Sequence, residues 1–318
     1  MENVSMLKTN LVLLGVVEME YLRYMYATLV IIIYIFTMML SSIIVYTVWS
    51  EETLHEPMYI FIGNLVGNAM FGNSAVLPKL VIDLLSGLST ISLPGCLIQA
   101  FCIQSFASLE FFTFTVMAYD RYLAVCLPLR YPTLMTCRRA FQIMLVVLSY
   151  VIVSITIIVV LTARLSICGA NINGIYCETL SLLRLACGDT TVNNIFGIIW
   201  TLIMIVGCIL VVIFCYIMTF VVCLKISADA CQKAIHTLVT HIVTFSTYTA
   251  ATVFVTFRYR LGIGSLSTLA HVIISLTGLT ACITLNPLTY GIRTEALRVK
   301  IFVNLRKMNV CQKVALIK

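Results

Sequence analysis

Long uncharged runs separated by short charged borders make up most of the chain. Met25 to Val48 is the first run, bordered by Arg23 and by Glu51, Glu52 and Glu56. Pro57 to Pro78 is the second, ending at Lys79, and Leu84 to Tyr119 is the third, interrupted only by Glu110. Ala140 to Ala163, Thr190 to Leu224, Ala234 to Phe257 and Leu261 to Ile292 follow. A helix needs about 20 apolar residues to cross a bilayer, and all seven runs reach that length. None alternates in polarity as the strands of a membrane barrel must. The pattern predicts an all-α membrane protein, one seven-helix bundle over residues 1–318. Residues 1–23 precede the helices, 24–292 hold them with their loops, and 293–318 form a tail. The first run lacks a basic lead-in and exceeds a signal-peptide core, so it reads as helix one. Pro78 and Pro287 are expected to kink a helix or end a turn.

Composition explains why the runs must lie in lipid. Of 318 residues, 61% are hydrophobic and 10% charged, against about 45–50% and about 25% in soluble domains. A core of this size cannot hide that much apolar surface from water. Soluble enzymes, disordered chains and disulfide miniproteins are thereby excluded. The net charge of +7 gains meaning from its placement. Segments 51–56, 120–139 and 225–233 and the tail share one side, which carries 13 of the 20 basic residues. The positive-inside rule then predicts a cytoplasmic C-terminus and an outer N-terminus for a multi-pass membrane protein. Four of the 13 cysteines, Cys96, Cys168, Cys177 and Cys187, fall on the outer side. Their number suits two bridges in an oxidising compartment, and spacing leaves three pairings open. Asn3-Val4-Ser5 is a glycosylation sequon on the same side.

Polar groups inside the runs are few. Glu110 lies ten residues before Asp120, roughly 15 Å along a helix and near the midplane, where a carboxylate is costly. Asn64 and Asn68 share a helix face, and Gly63 with Gly67 forms a small-residue pair that reads first as helix packing. His236 and His241 are five apart, the wrong spacing for a metal pair. No phosphate loop, nucleophile elbow or zinc spacing occurs. The chain is expected to hold no metal and no cofactor and not to be an enzyme. A transporter or channel would favour an internal repeat and several intramembrane charges; one such charge and no repeat are found.

Asp120-Arg121-Tyr122 ends the third run, and Asn286-Pro287-Leu288-Thr289-Tyr290 ends the seventh. With Cys96 at the outer end of helix three, they resemble rhodopsin-like G-protein-coupled receptors. The strings LHEPMY (Leu54 to Tyr59), MAYDRYLAVCLPLRY (Met117 to Tyr131), KAIHTLVTH (Lys233 to His241) and LACGDT (Leu185 to Thr190) narrow the resemblance to odorant receptors, across helices one to seven. The resemblance implies a Cys96–Cys177 bridge, leaving Cys168–Cys187. It matches Glu110 to the family's helix-three acid. It assigns G-protein coupling and switching to Asp120, Arg121, Tyr122, Tyr216, Lys233, His241, Asn286, Pro287 and Tyr290. The partners implied are a small odorant, a stimulatory or olfactory-type G protein that raises cAMP, and membrane lipid, with no nucleic acid. The chain departs from the family at Ser41, Ala69, Leu238 and Thr249; the usual helix-six tyrosine falls on Thr249, beside Tyr248. Without a helix-two acid at Ala69, a full sodium site is not expected.

The family binds odorants between the outer halves of helices three, five and six. Helical spacing places Gln99, Ile103, Gln104, Ala107 and Ser108 there, with Thr201 and Met204 of helix five and Thr252, Val253 and Thr256 of helix six. Arg258 and Arg260 sit at the outer end of helix six. They either mark the membrane surface or, through Arg260, draw an anionic odorant toward a pocket with no matching acid. Residues 293–303 are expected to form a short amphipathic helix, with Ile301 and Phe302 buried against the membrane.

Overall fold

The computed structural model describes residues 10–225, 228–260, 268–293 and 297–304, with some side chains left out from residue 228 onward. A strand, β1 (Asn10–Leu13), leads into the short helix α1 (Leu14–Val17) and the first long helix, α2 (Arg23–Ser50). After α3 (Pro57–Ser86) come β2 (Thr90–Ser92), α4 (Leu93–Cys126), α5 (Tyr131–Leu134) and α6 (Cys137–Ala163). Then follow β3 (Asn171–Ile172), α7 (Thr179–Leu185), α8 (Thr191–Thr201), α9 (Cys208–Cys223), α10 (Ala228–Arg260) and α11 (Thr268–Arg293). A π-helical stretch, Leu202–Gly207, joins α8 to α9 as one 33-residue span. Among the described residues, five helices are long and apolar enough to cross a membrane, and the apolar stretch Leu238–Phe254 of α10 is shorter.

Local chemistry sets the helix ends. Pro57 opens α3 at a position where its missing N–H is not needed. The helix then runs through Pro78 rather than ending there, and stops at Gly87, whose left-handed φ of +70° suits glycine. The chain extends into β2 before Ser92 caps α4 by accepting the Gly95 amide at 3.3 Å. Thr136 caps α6 in the same way, accepting the Arg139 amide at 3.3 Å. The third helix therefore begins at Leu93, nine residues after the uncharged run does, because residues 87–92 turn without using a charge.

Long apolar side chains point outward and polar ones inward, the distribution expected of helices solvated by lipid. Leu29, Ile32, Ile35, Phe36 and Met39 of α2 are exposed, whereas Asn68, Asn73, Ser108, Glu110 and Asp120 are buried. α11 packs against α2, α3 and α10, and α9 packs against α4 and α10, so the bundle closes on itself. Gly63 and Gly67 do not mediate a close helix contact. A Cβ at Gly67 would meet nothing within 4 Å, and one at Gly63 would touch only Val48 at 3.8 Å.

The fold is mostly helical rather than all-α, because one end of the bundle carries a three-stranded sheet in the order β2-β1-β3. β1 runs antiparallel to β2, with Asn10 opposite Ser92, and parallel to β3, with Val12 opposite Asn171. These segments lie beyond the helices, where their N–H and C=O groups find partners in one another. Leu11, Leu13 and Ile172 anchor the sheet in a buried cluster with Cys96, Cys177, Val76 and Leu80. Gly15 lets the chain after β1 pass directly over Gly174, since a Cβ there would stand 2.8 Å from the Gly174 carbonyl carbon. Gly15→Val is therefore expected to destabilise the protein by about 1–3 kcal/mol through overpacking. Its melting temperature in detergent should fall by several degrees while Gly67→Ala leaves it unchanged; equal melting of both variants would refute the contact.

Candidate functional site

Near the sheet end a cavity of about 170 Å³ opens among α4, α6, α7, α8, α10 and α11. Of the residues expected there, Ile103, Gln104, Ala107, Ser108, Thr201, Met204, Thr252 and Thr256 line it. Tyr248, Thr252 and Thr256 recur at intervals of four, so one face of α10 looks inward. Val253 lies off that face and packs against the bundle core instead. Gln99 is also not in the wall. Its amide donates to the Ala75 carbonyl at 3.2 Å and accepts the Cys177 amide at 2.9 Å, so it ties the loop to α3 and α4. The Arg260 side chain lies outside the described ones, as does that of Lys233; Asn3 lies outside the described residues.

The cavity also holds residues beyond those expected from three helices. Tyr176, Glu178, Thr179, Leu180 and Leu183 come from the long loop, and Asn193, Phe196 and Trp200 from α8. Glu178 contradicts the expectation of a pocket with no acid. Its carboxylate accepts the Ser181 amide and its backbone N–H donates to the Ser181 hydroxyl at 3.4 Å, a capping box that starts α7. The loop is held by Cys96–Cys177, with Cα atoms 5.3 Å apart, and Cys168–Cys187, with Cα atoms 5.8 Å apart. Both spacings suit a bridge. No sequence spacing places a loop this long; the two bridges and the sheet do.

Below the cavity wall runs a buried polar and aromatic layer. The Tyr248 hydroxyl donates to the Ala107 carbonyl at 3.0 Å, and its ring meets Phe111 edge-on at 5.1 Å. The helix-six tyrosine that faces inward is thus Tyr248, and the hydroxyl of Thr249 is buried without a partner. Next to Phe111, Glu110 accepts the Asn68 amide at 2.9 Å through Oε1 and the Asn286 amide at 2.6 Å through Oε2. Asn68 also donates to the Phe106 carbonyl at 2.9 Å. One carboxylate therefore joins α3, α4 and α11. The sequence marks Asn68 only as a packing residue; its bond to Glu110 depends on the approach of α3 to α4. Asn64 serves the same seam by accepting the Thr113 hydroxyl at 3.2 Å.

The helix ends opposite the sheet gather the remaining residues. Asp120 is fully buried, accepts the Tyr131 hydroxyl at 2.9 Å, and pairs with Arg121 at 3.3 Å. Tyr290 and His241 are buried and their side chains meet at 3.1 Å, linking α11 to α10. Tyr216 packs against the same core. Tyr122 turns away, stacking on Tyr119 and meeting Phe214 of α9 at 6.0 Å. Pro287 is buried inside α11 between Asn286 and Tyr290. Leu238 and Ala69 are buried apolar positions, and Ser41 keeps a buried hydroxyl without a partner. Residues 297–304 are helical, with Leu297 buried, Ile301 against the core and Phe302 turned outward. Among the described residues no group of acids, histidines and cysteines is placed to hold a metal ion.

Comparison with known proteins gives this arrangement a context. The family model described as olfactory receptor matches residues 30–308. The chain is 32% identical over 299 residues to olfactory receptor 10G3 of Homo sapiens, covering 92% of this chain and 93% of that protein. It is 33% identical over 294 residues to olfactory receptor 5AP2 of Mus musculus, covering 90% of each. With olfactory receptor 6X1 of Homo sapiens it shares 32% identity over 310 residues, 96% of each chain.

Proposed function

This chain belongs to the olfactory receptor family of G-protein-coupled receptors, which are not enzymes, and we propose that it converts odorant binding in the Ile103–Tyr248 cavity into activation of a stimulatory or olfactory-type G protein that raises cAMP. The observation that carries this reading is the continuity from cavity to far end. Ala107 and Tyr248 line the cavity, Tyr248 rests on Phe111, and the adjacent Glu110 is bonded to Asn286 on α11, one turn from Tyr290 and His241. A ligand that displaces Tyr248 acts on this packed chain, and Asp120 with Arg121 at its end supplies a two-state pair.

With α10 and α11 taken as the sixth and seventh spans, the sheet and both disulfides would lie outside the cell, with Asn3 as the glycan site. The basic end then faces the cytoplasm at the plasma membrane, where Arg121 and the charged tail meet an acidic G-protein surface or anionic lipid. The 293–303 segment would lie along that surface with Phe302 in lipid.

The test is a cAMP reporter in cells expressing the chain and challenged with odorants. Ala107→Phe should raise the effective concentration of any agonist at least about tenfold, the effect of losing about 1.4 kcal/mol, at unchanged surface level. Arg121→Ala should remove the response altogether. Agonist-driven current without G protein, or signalling indifferent to Arg121→Ala, would overturn the proposal.

A further inference from the structure

The polar atoms around the cavity are not equally satisfied. Five of its hydroxyls have already placed their protons. Ser108 donates to the Gln104 carbonyl at 2.8 Å, Thr162 to Ile158 at 2.8 Å and Thr201 to Gly197 at 2.7 Å. Thr179 donates to Gln104 Oε1 at 3.1 Å, and Tyr248 to the Ala107 carbonyl at 3.0 Å. Two buried atoms of wall residues, the Nε1 of Trp200 and the Nδ2 of Asn193, have no partner among the described residues. Both are donors. The indole N–H has no acceptor role to fall back on, and Trp200 is only 4% exposed. Its ring packs against Tyr150 at 5.4 Å and Phe112 at 6.3 Å.

A buried donor without a partner is unfavourable until an acceptor arrives. The only charged side chain among the described residues lining the cavity is Glu178. Its carboxylate is engaged in capping α7 and sets a negative field against any anion. The cavity wall is mostly aliphatic and aromatic.

We propose that the odorant selected here is a small, uncharged hydrogen-bond acceptor, a ketone, aldehyde, ester or ether, whose oxygen is bound by Trp200 Nε1, with Asn193 as a second donor about two helical turns away on α8. The assignment rests on the cavity being the odorant site and replaces an anionic ligand drawn in by Arg260. A carboxylate would meet Glu178, and an amine would leave the indole N–H unpaired. An alcohol can accept from Trp200 but must also find a place for its own proton.

Trp49 and Trp200 are the two tryptophans of the chain, and Trp49 is 73% exposed on α2, away from the cavity. The full chain carrying Trp49→Phe therefore reports on Trp200 alone by fluorescence. It would be purified in lipid nanodiscs and titrated with 2-heptanone, heptanal, 1-heptanol, heptylamine, heptanoic acid and heptane, and each compound would also be run in the cAMP assay. The ketone and aldehyde should change Trp200 emission saturably and lead the potency order, ahead of the alcohol, with the acid and amine last. Trp200→Phe should weaken the ketone about five- to tenfold, the loss of one hydrogen bond, at equal surface level. The emission measurement leaves Trp200 in place and so does not depend on that variant folding. An order led by the acid, amine, alcohol or hydrocarbon, or a ketone response indifferent to Trp200→Phe, overturns the acceptor assignment and leaves the cavity as the odorant site. Silence to the whole panel in both assays overturns the odorant-site reading as well.

Discussion

Asn286→Leu should cost about 1–3 kcal/mol of stability. Asn286 donates to Glu110 Oε2 at 2.6 Å, and Leu would leave that carboxylate oxygen buried with no donor. A buried acceptor left without its donor costs about 1–3 kcal/mol. Asn68 keeps its own bond to Oε1, which limits the loss. The sign of the next step is the sharper test. Replacing both partners, Glu110→Leu with Asn286→Leu, takes the buried acceptor away along with its donor, while Asn68 retains the Phe106 carbonyl at 2.9 Å. The double variant should therefore melt at a higher temperature than Asn286→Leu alone, although it carries one more substitution. Melting in detergent with both variants measured side by side decides it; a double variant less stable than the single would mean that the carboxylate does not depend on Asn286. Ligand-driven cAMP should stay low in both, because α4 and α11 are uncoupled either way.

The same node shows what a sequence can and cannot disclose. Glu110 stood out at once, since a lone acid in a long apolar run is costly and conspicuous. Its partners did not, because an asparagine four residues from another reads equally well as packing; only the approach of α3 and α11 to α4 decides it. The helices were legible from charge borders wherever a charge sat at the end. The start of α4 was missed by nine residues because Gly87 and Ser92, both neutral, make that turn. The cavity wall contributed by α4 followed from helical period alone, at Ile103, Gln104, Ala107 and Ser108. Gln99 shares that period yet is taken by Cys177, and Glu178 and Thr179 enter the wall because disulfides and the sheet fold the loop inward. Trp200 lies four residues before Met204, so the helical period that selects Met204 reaches it as well. The sheet itself joins segments some 80 residues apart in sequence, and no local pattern in β1 distinguishes a paired strand from an extended terminus.

Asp120→Asn should raise ligand-independent cAMP about tenfold at equal surface level. The Asp120 carboxylate holds Arg121 at 3.3 Å and accepts the Tyr131 hydroxyl at 2.9 Å, so it fastens the end of α4 to both. Arg121 is 26% exposed at its side chain while Asp120 is fully buried. Partial solvation discounts the ion pair from a buried value to about 1–2 kcal/mol. Where this pair separates the resting from the G-protein-competent state, about 1.4 kcal/mol is a factor of ten in their ratio. Burial and then the neighbouring carboxylate push the Tyr131 phenol up from its ordinary range, so it remains a donor throughout physiological pH. Tyr131→Phe removes that one hydrogen bond and leaves the ion pair, and should raise basal signalling only about two- to fivefold. Asn at 120 can still accept from Tyr131, so the difference between the two variants isolates the ion pair with Arg121 from the phenol's hydrogen bond. Equal basal signalling in Asp120→Asn and the parent chain would show that the pair is not what restrains the resting state.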